Sequence, residues 1–244
     1  MWSYNGHMLK KKLQTYKAVF FDAGDTLITI PAAHEMLQAY LERNSFPTKD
    51  AQLEMILSEA ITHYYYNKKN YTTEAITPES DRAFWIRIYL FVMERLNAER
   101  YWSIEQIQQC CHELYDVFVN PEYYTVFSDV KLALDRLQQM NLRLGLISNF
   151  APTLRDICIK QGIYHYFDPF IVSTEVGLEK PNPEIFTYAL HCAGLHASEV
   201  LYIGDHETND IWAPSQIGMD AIRIVRYEGL SGDVDIRSLI ELFD

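Results

Sequence analysis

The stretch Ala18-Val19-Phe20-Phe21 runs directly into Asp22, with Gly24 and Asp25 close behind. A buried strand that ends on a carboxylate needs a chemical reason, because an ionised carboxylate is costly wherever water is excluded. Other apolar runs also end on reactive groups. "LRLGLISN" stops at Ser148-Asn149, and "EVLYIGD" stops at Gly204-Asp205 with Asp210 five residues on. Between them, "STEVGLEKPNPEIF" carries Lys180 just before a helix in whose first turn Pro183 fits.

Carboxylates brought together repel one another and need either protons or a cation. Oxygen ligands with room for water and phosphate suit Mg²⁺. A serine hydroxyl, backbone N–H groups and a lysine supply donors for a tetrahedral oxyanion. A carboxylate that the metal does not fully neutralise can attack phosphorus and form an aspartyl-phosphate. Such an assembly is a phosphoryl-transfer centre, where positioning and charge neutralisation dominate catalysis.

These groups need a scaffold that brings strand ends together. Short apolar runs fall at 18–22, 142–148, 169–173, 199–204 and 220–225. Helical patterns follow at about 127–140, 152–161, 183–193, 208–217 and 235–243. Continuous apolar runs alternating with helices predict an α/β fold, a Rossmann-like parallel sheet with helices on both faces. In such sheets ligands bind outside the carboxyl ends of the strands, where these residues fall. Residues 31–124 hold helical patterns and no comparable strand run, so they read as an all-helical second domain inserted into a discontinuous core of 1–30 and 125–244.

Composition narrows the function further. The chain has 244 residues, with 21 Lys and Arg against 33 Asp and Glu, a formal net charge of −12. That balance argues against nucleic acid or an anionic membrane as partner. Lys10-Lys11-Lys12 is the one basic cluster and reads as a solvated terminal segment. No apolar run approaches the roughly 20 residues of a membrane span. The N-terminal "MWSYNGHMLKKK" lacks a leader-like apolar stretch, and the four cysteines show no metal-type spacing. Reduced thiols and a cytoplasmic location are the expectation, and the oligomeric state is left open.

"FFDAGDTL", "GLISN", "EVGLEKPNPEIF" and "YIGDHETNDIWAPSQIGM" resemble, in order, the four motifs of the haloacid dehalogenase-like hydrolase superfamily. The subgroup resembled carries a helical cap between the first two motifs, and the resemblance covers residues 17 to about 225. It implies Asp22 as nucleophile and Mg²⁺ ligand, with the Gly24 backbone carbonyl and Asp205 as further ligands. Asp210 would support the metal shell or orient Lys180. Ser148 and Lys180 would hold the transferring group, with Asn149 close by. The cap would close over a small phosphorylated substrate and select it.

One position departs from the pattern. Phosphatases of this superfamily usually carry a second aspartate two residues after the nucleophile, which protonates the leaving alcohol and then activates water. Gly24 stands there, and Asp25 falls one place later. Asp25 could reach the leaving group through a local change in the turn that glycine permits. The leaving group could instead need little protonation, as in an acyl or aryl phosphate. Or the chemistry could differ: a metal-independent 2-haloacid dehalogenase, a Schiff-base hydrolase using Lys49, Lys68 or Lys69, or a catalytically weak binding protein of the same fold. Retention of Asp205 and Asp210 favours a Mg²⁺-dependent phosphatase, because a carboxylate cluster without a cation is costly to keep ionised.

The remaining conspicuous residues have plainer readings. His206 adjoins a metal-ligand candidate, but hard Mg²⁺ prefers oxygen. It reads as an outer or surface residue. Cys110-Cys111-His112 falls on a helical stretch and reads as packing. Trp85 and Tyr64-Tyr65-Tyr66 read first as core of the helical insert, and second as a surface facing substrate.

Overall fold

The computed structural model describes residues 12–48, 50–66, 74–227 and 234–243. Lys10, Lys11, Lys49, Lys68 and Lys69 lie outside them. The core is a five-stranded parallel sheet ordered β5-β4-β1-β6-β7. Its strands are β1 (Ala18–Phe21), β4 (Arg143–Ser148), β5 (Phe167–Val172), β6 (Val200–Gly204) and β7 (Asp220–Arg223).

The side-chain alternation of a strand explains why these runs read as continuously apolar. Val19 and Phe21 of β1 join one hydrophobic cluster with α5 (Val130–Gln139) and α6 (Leu154–Lys160). Ala18 and Phe20 point the other way, into a second cluster with α8 (Glu184–Ala193). Both faces are covered, as the α/β reading predicts. Short helices α7 (Ser173–Val176) and α9 (Ala213–Ser215) complete this layer.

The chain between β1 and β4 supplies α1 (Ala33–Arg43), α2 (Asp50–Ile61), α3 (Pro78–Arg95) and α4 (Ile104–Phe118). These helices bury a cluster of their own, with Leu41, Leu53, Val92 and Leu114 at its centre. The start of α3 is set by sequence: Thr77 Oγ1 accepts the Ser80 N–H at 3.2 Å, and Ser80 Oγ accepts the Thr77 N–H at 2.9 Å. Ser103 and Gln106 repeat this reciprocal cap at α4.

Four features differ from the sequence reading. A two-stranded antiparallel ribbon, β2 (Ile28–Thr29) with β3 (Thr125–Val126), ties the two ends of the helical segment together. Two residues per strand are too few to show a period in sequence. The helix expected at 208–217 is a π-helical turn over Glu207–Trp212 followed by α9. The helix expected at 235–243 is reduced to a 3₁₀ stretch, Leu239–Phe243. The strand expected at 169–173 is shifted to 167–172. Among the described residues, no helix is long and apolar enough to cross a membrane.

Candidate active site

β1 lies at the centre of the sheet, with β4 on one side and β6 on the other. The chain therefore turns in opposite directions from this strand, which opens a crevice at its carboxyl end. Ser148 ends β4, Asp22 and Asp205 directly follow β1 and β6, and all three are buried. The Asp22 N–H donates to the Ile203 carbonyl at 2.9 Å, so the sheet ladder itself fixes the backbone of Asp22.

The side chains converge. Ser148 Oγ donates to Asp22 Oδ1 at 3.0 Å, and Lys180 Nζ donates to the same oxygen at 2.6 Å. Lys180 Nζ also donates to Asp210 Oδ1 at 2.7 Å. The second Asp210 oxygen accepts the His206 backbone N–H at 2.9 Å. Asp210 thus spans the lysine and the loop after β6. Its room depends on Gly204: a Cβ there would lie 2.4 Å from Asp210 Cγ.

Lys180 is held from both ends. Its backbone N–H donates to Asn149 Oδ1 at 2.8 Å, and its carbonyl accepts from Asn149 Nδ2 at 2.7 Å. Asn149 lines the cavity, yet its amide is spent on the Lys180 main chain, so the geometry makes it a positioning residue. Tyr202, which the sequence reading does not single out, accepts from Lys180 Nζ at 3.2 Å and donates to the Ile147 carbonyl at 2.9 Å. Its only sequence trace is a hydroxyl-bearing residue inside the otherwise apolar run before Asp205.

Asp22, Asp205 and Asp210 each offer an oxygen, and these lie within 4.8 Å of one another. Three buried carboxylates face one ammonium. Burial pushes the Asp22 carboxyl up to about 6, with Asp210 adding to the rise and Lys180 opposing it. Burial lifts Asp205 well above the usual carboxylate range, reinforced by Asp210 and Asp22. Burial alone would lower the Lys180 ammonium, but Asp210 and Asp22 together hold it above its ordinary value. An all-oxygen donor set with excess negative charge fits a divalent cation.

Asp25 sits in the left-handed region with φ of 50°. Its Oδ1 accepts from Tyr227 Oη at 2.9 Å and Thr29 Oγ1 at 3.1 Å. Burial raises its carboxyl, against the lowering effect of those hydrogen bonds. Gly24, Asp25, Asp22 and Asp205 all line one cavity of about 330 Å³.

The helical segment forms much of that cavity's remaining wall. α2 continues into a π-helical turn over Thr62–Tyr66, which shifts the angular register of its side chains. Tyr65, Tyr66 and Trp85 line the cavity, while Tyr64 packs against the helical core, as Trp85 also does. Cys110 and Cys111 are buried in that core, and all four cysteines are free thiols. His206 is buried, where a surface position was one of its readings. Its Nδ1 accepts from the Thr208 and Asn209 N–H groups, so the proton of the neutral ring belongs on Nε2, 3.5 Å from the Tyr65 carbonyl. Burial lowers its pKa and keeps it in this neutral form. Its ring stacks on Tyr66 at 5.2 Å, joining the loop after β6 to the helical segment.

The sheet thus sets a carboxylate, a serine and a second carboxylate at adjacent strand ends, with a lysine and a third carboxylate bonded beside them. Residues 16–218 match the haloacid dehalogenase-like hydrolase model, and the chain belongs to that family. It is similar to a glyceraldehyde 3-phosphate phosphatase of Methanopyrus kandleri, 36% identical over 43% of this chain and 45% of that protein. Pyrimidine 5'-nucleotidase YjjG of Escherichia coli is 27% identical over 92% of this chain and 95% of its own. The chain spans about half the length of several curated relatives, the archaeal phosphatase among them. In fold it is similar to the HAD-hydrolase YfnB from Bacillus subtilis bound to magnesium, with TM-score 0.66, 20% identity, and coverage of 93% and 97%. The chain is a hydrolase of this family, with relatives named as phosphatases.

Proposed function

We propose that this chain is a Mg²⁺-dependent phosphatase that hydrolyses a small phosphorylated metabolite through an aspartyl-phosphate on Asp22. The observation that carries the reading is the charge imbalance: Asp22, Asp205 and Asp210 are buried together, and the Lys180 ammonium pairs with Asp22 and Asp210. Left without a divalent cation, that cluster would be costly to keep ionised. Asp22, Asp205 and the Gly24 carbonyl are the groups that would hold Mg²⁺, with Asp210 in support. When bound, the ion neutralises charge on the transferring phosphoryl group.

The residues of the chain divide the remaining work. Ser148 and Lys180 hold one oxygen of Asp22, which fixes the carboxylate as it attacks phosphorus. The P–O bond to the leaving group breaks as the Asp22–phosphorus bond forms, and water then releases phosphate and restores Asp22. The leaving oxygen takes its proton from Asp25, or leaves as an anion that needs none. The helices of residues 31–124 act as a cap that shapes the substrate cavity.

The test uses purified protein and 4-nitrophenyl phosphate. Turnover is expected with Mg²⁺, and is expected to vanish on chelation and in Asp22→Asn. Halide release from a 2-haloacid without metal, or turnover indifferent to both changes, would overturn the reading.

A further inference from the structure

His206 carries more chemistry than the turn it caps requires. Its Nδ1 accepts the Thr208 N–H at 3.1 Å and the Asn209 N–H at 3.2 Å, at the start of the turn Glu207–Trp212. Short side chains ordinarily do this work, with Asn, Asp and Ser foremost. An asparagine oxygen, one bond beyond Cγ as Nδ1 is, would serve the same N–H groups. What histidine adds is the far half of a ring, and that half is buried with the rest.

The far half meets the helical segment. Nε2 lies 3.5 Å from the Tyr65 carbonyl, near the end of the turn Thr62–Tyr66, where helical carbonyls run out of partners within the helix. The ring stacks on Tyr66 with centroids 5.2 Å apart and planes 19° from parallel. The Tyr65 ring packs on it in the T-shaped arrangement, at 5.3 Å and 76°. Aromatic pairs in such geometries attract beyond the area they bury.

Both tyrosines line the cavity that Asp22 and Asp205 line. Burial, then the charges of Asp205, Asp22 and Asp210, hold the Tyr65 hydroxyl well above its ordinary pKa. Burial, Asp205 and Asp25 raise that of Tyr66. On its main-chain side His206 is tied to the catalytic cluster. Its N–H donates to one oxygen of Asp210, whose other oxygen accepts from Lys180. A single residue thus touches the carboxylate–lysine cluster and the two tyrosines that face it.

We infer that His206 is a positioning residue for the reaction: its ring sets Tyr65 and Tyr66 over the carboxylate site and so governs how tightly substrate is held. This role rests on the phosphatase reading above and deepens it.

Two substitutions separate docking from capping. His206→Asn keeps an acceptor for the Thr208 and Asn209 N–H groups and loses the ring, whereas His206→Ala loses both. With Mg²⁺ present, His206→Asn is expected to raise KM for 4-nitrophenyl phosphate by about tenfold and to lower kcat far less, the signature of lost uniform binding. His206→Ala should lower kcat as well, because the turn that carries Asp210 loosens. Tyr66→Leu should also raise KM. Combined with His206→Asn, it should raise KM by less than the product of the two single effects, since both break one contact. Amide hydrogen exchange reads the docking without turnover. His206→Asn should speed exchange over residues 60–66 and not over 207–212, and His206→Ala should speed both.

An unchanged KM in His206→Asn, fully multiplicative effects in the double variant, or unchanged exchange over 60–66 overturns the role of His206 and leaves the phosphatase reading standing. If the parent turns over no phosphate ester, the phosphatase reading falls and exchange alone decides the docking: faster over 60–66 in His206→Asn upholds it, and an unchanged rate overturns it.

Discussion

At position 24 an added Cβ would meet nothing within 4 Å, and the backbone there lies outside the left-handed region. Neither crowding nor backbone shape therefore demands glycine. The missing side chain removes an acid from a cavity with space for one. Gly24→Asp is expected to speed hydrolysis of alkyl phosphates by on the order of 10²-fold, the scale of general acid help. Aryl phosphates, whose leaving groups need little protonation, should gain far less. Equal rates for variant and parent on both classes would show that Asp25 or the substrate already supplies what is missing. Asp25 is placed for that role in one respect, since it lines the same cavity. In another it is committed elsewhere, because Tyr227 and Thr29 both bond its Oδ1.

Elements set the spacing of these residues, and Gly204 is where that setting is tightest. Gly204→Ala would drive a methyl to 2.5 Å or closer against Asp210 and so loosen both of that carboxylate's partners. Activity is expected to fall on the order of 10²-fold, as for a misplacement of about 1 Å, with circular dichroism unchanged. Full activity would mean that Asp210 does not set Lys180. The parallel sheet was legible because β1, β4 and β6 are apolar on both faces, and because Asp22, Ser148 and Asp205 interrupt those runs at one end. Tyr202 was not legible: a tyrosine in a buried strand shows its hydroxyl's partner only once Lys180 is folded over it. The cavity role of Tyr65 and Tyr66 depends on a π-helical turn, whereas helical periodicity read from sequence assumes an unbroken 3.6-residue repeat. His206 was read for its metal chemistry, while its ring caps the turn after β6.

For the molecule as a whole, the buried acids link stability to pH and metal. Asp22, raised by burial to about 6 in the folded chain from 3.8, binds a proton more readily folded than unfolded between those values. Stability from this group is therefore present at low pH and lost as pH rises through about 6. Asp25 and Asp205, raised by burial in the same direction, add to the trend. Metal-free protein is expected to melt at a higher temperature near pH 5 than near pH 7.5 in its contribution from this site, read as the difference between parent and Asp22→Asn. Mg²⁺ should reverse the order, adding about 2.7 kcal/mol at a hundredfold excess over its Kd, or some 5–10 °C for a chain of this size. A melting temperature indifferent to Mg²⁺ at the higher pH would sink the cation assignment.

The β2–β3 ribbon bears on how this molecule could be rebuilt. Ile28 pairs with Val126 and Thr29 with Thr125, so the outgoing and returning chains stand side by side, about 5 Å apart. That spacing is the one a tight hairpin closes. Replacing residues 30–124 with a two-residue Asn-Gly turn is therefore expected to leave a foldable sheet domain. It would keep Asp22, Ser148, Lys180 and Asp205 but not the aromatic wall. Such a stump, checked by its heteronuclear NMR spectrum and by Mg²⁺-dependent turnover of acetyl phosphate, would be an open socket onto which other substrate-selecting modules could be grafted.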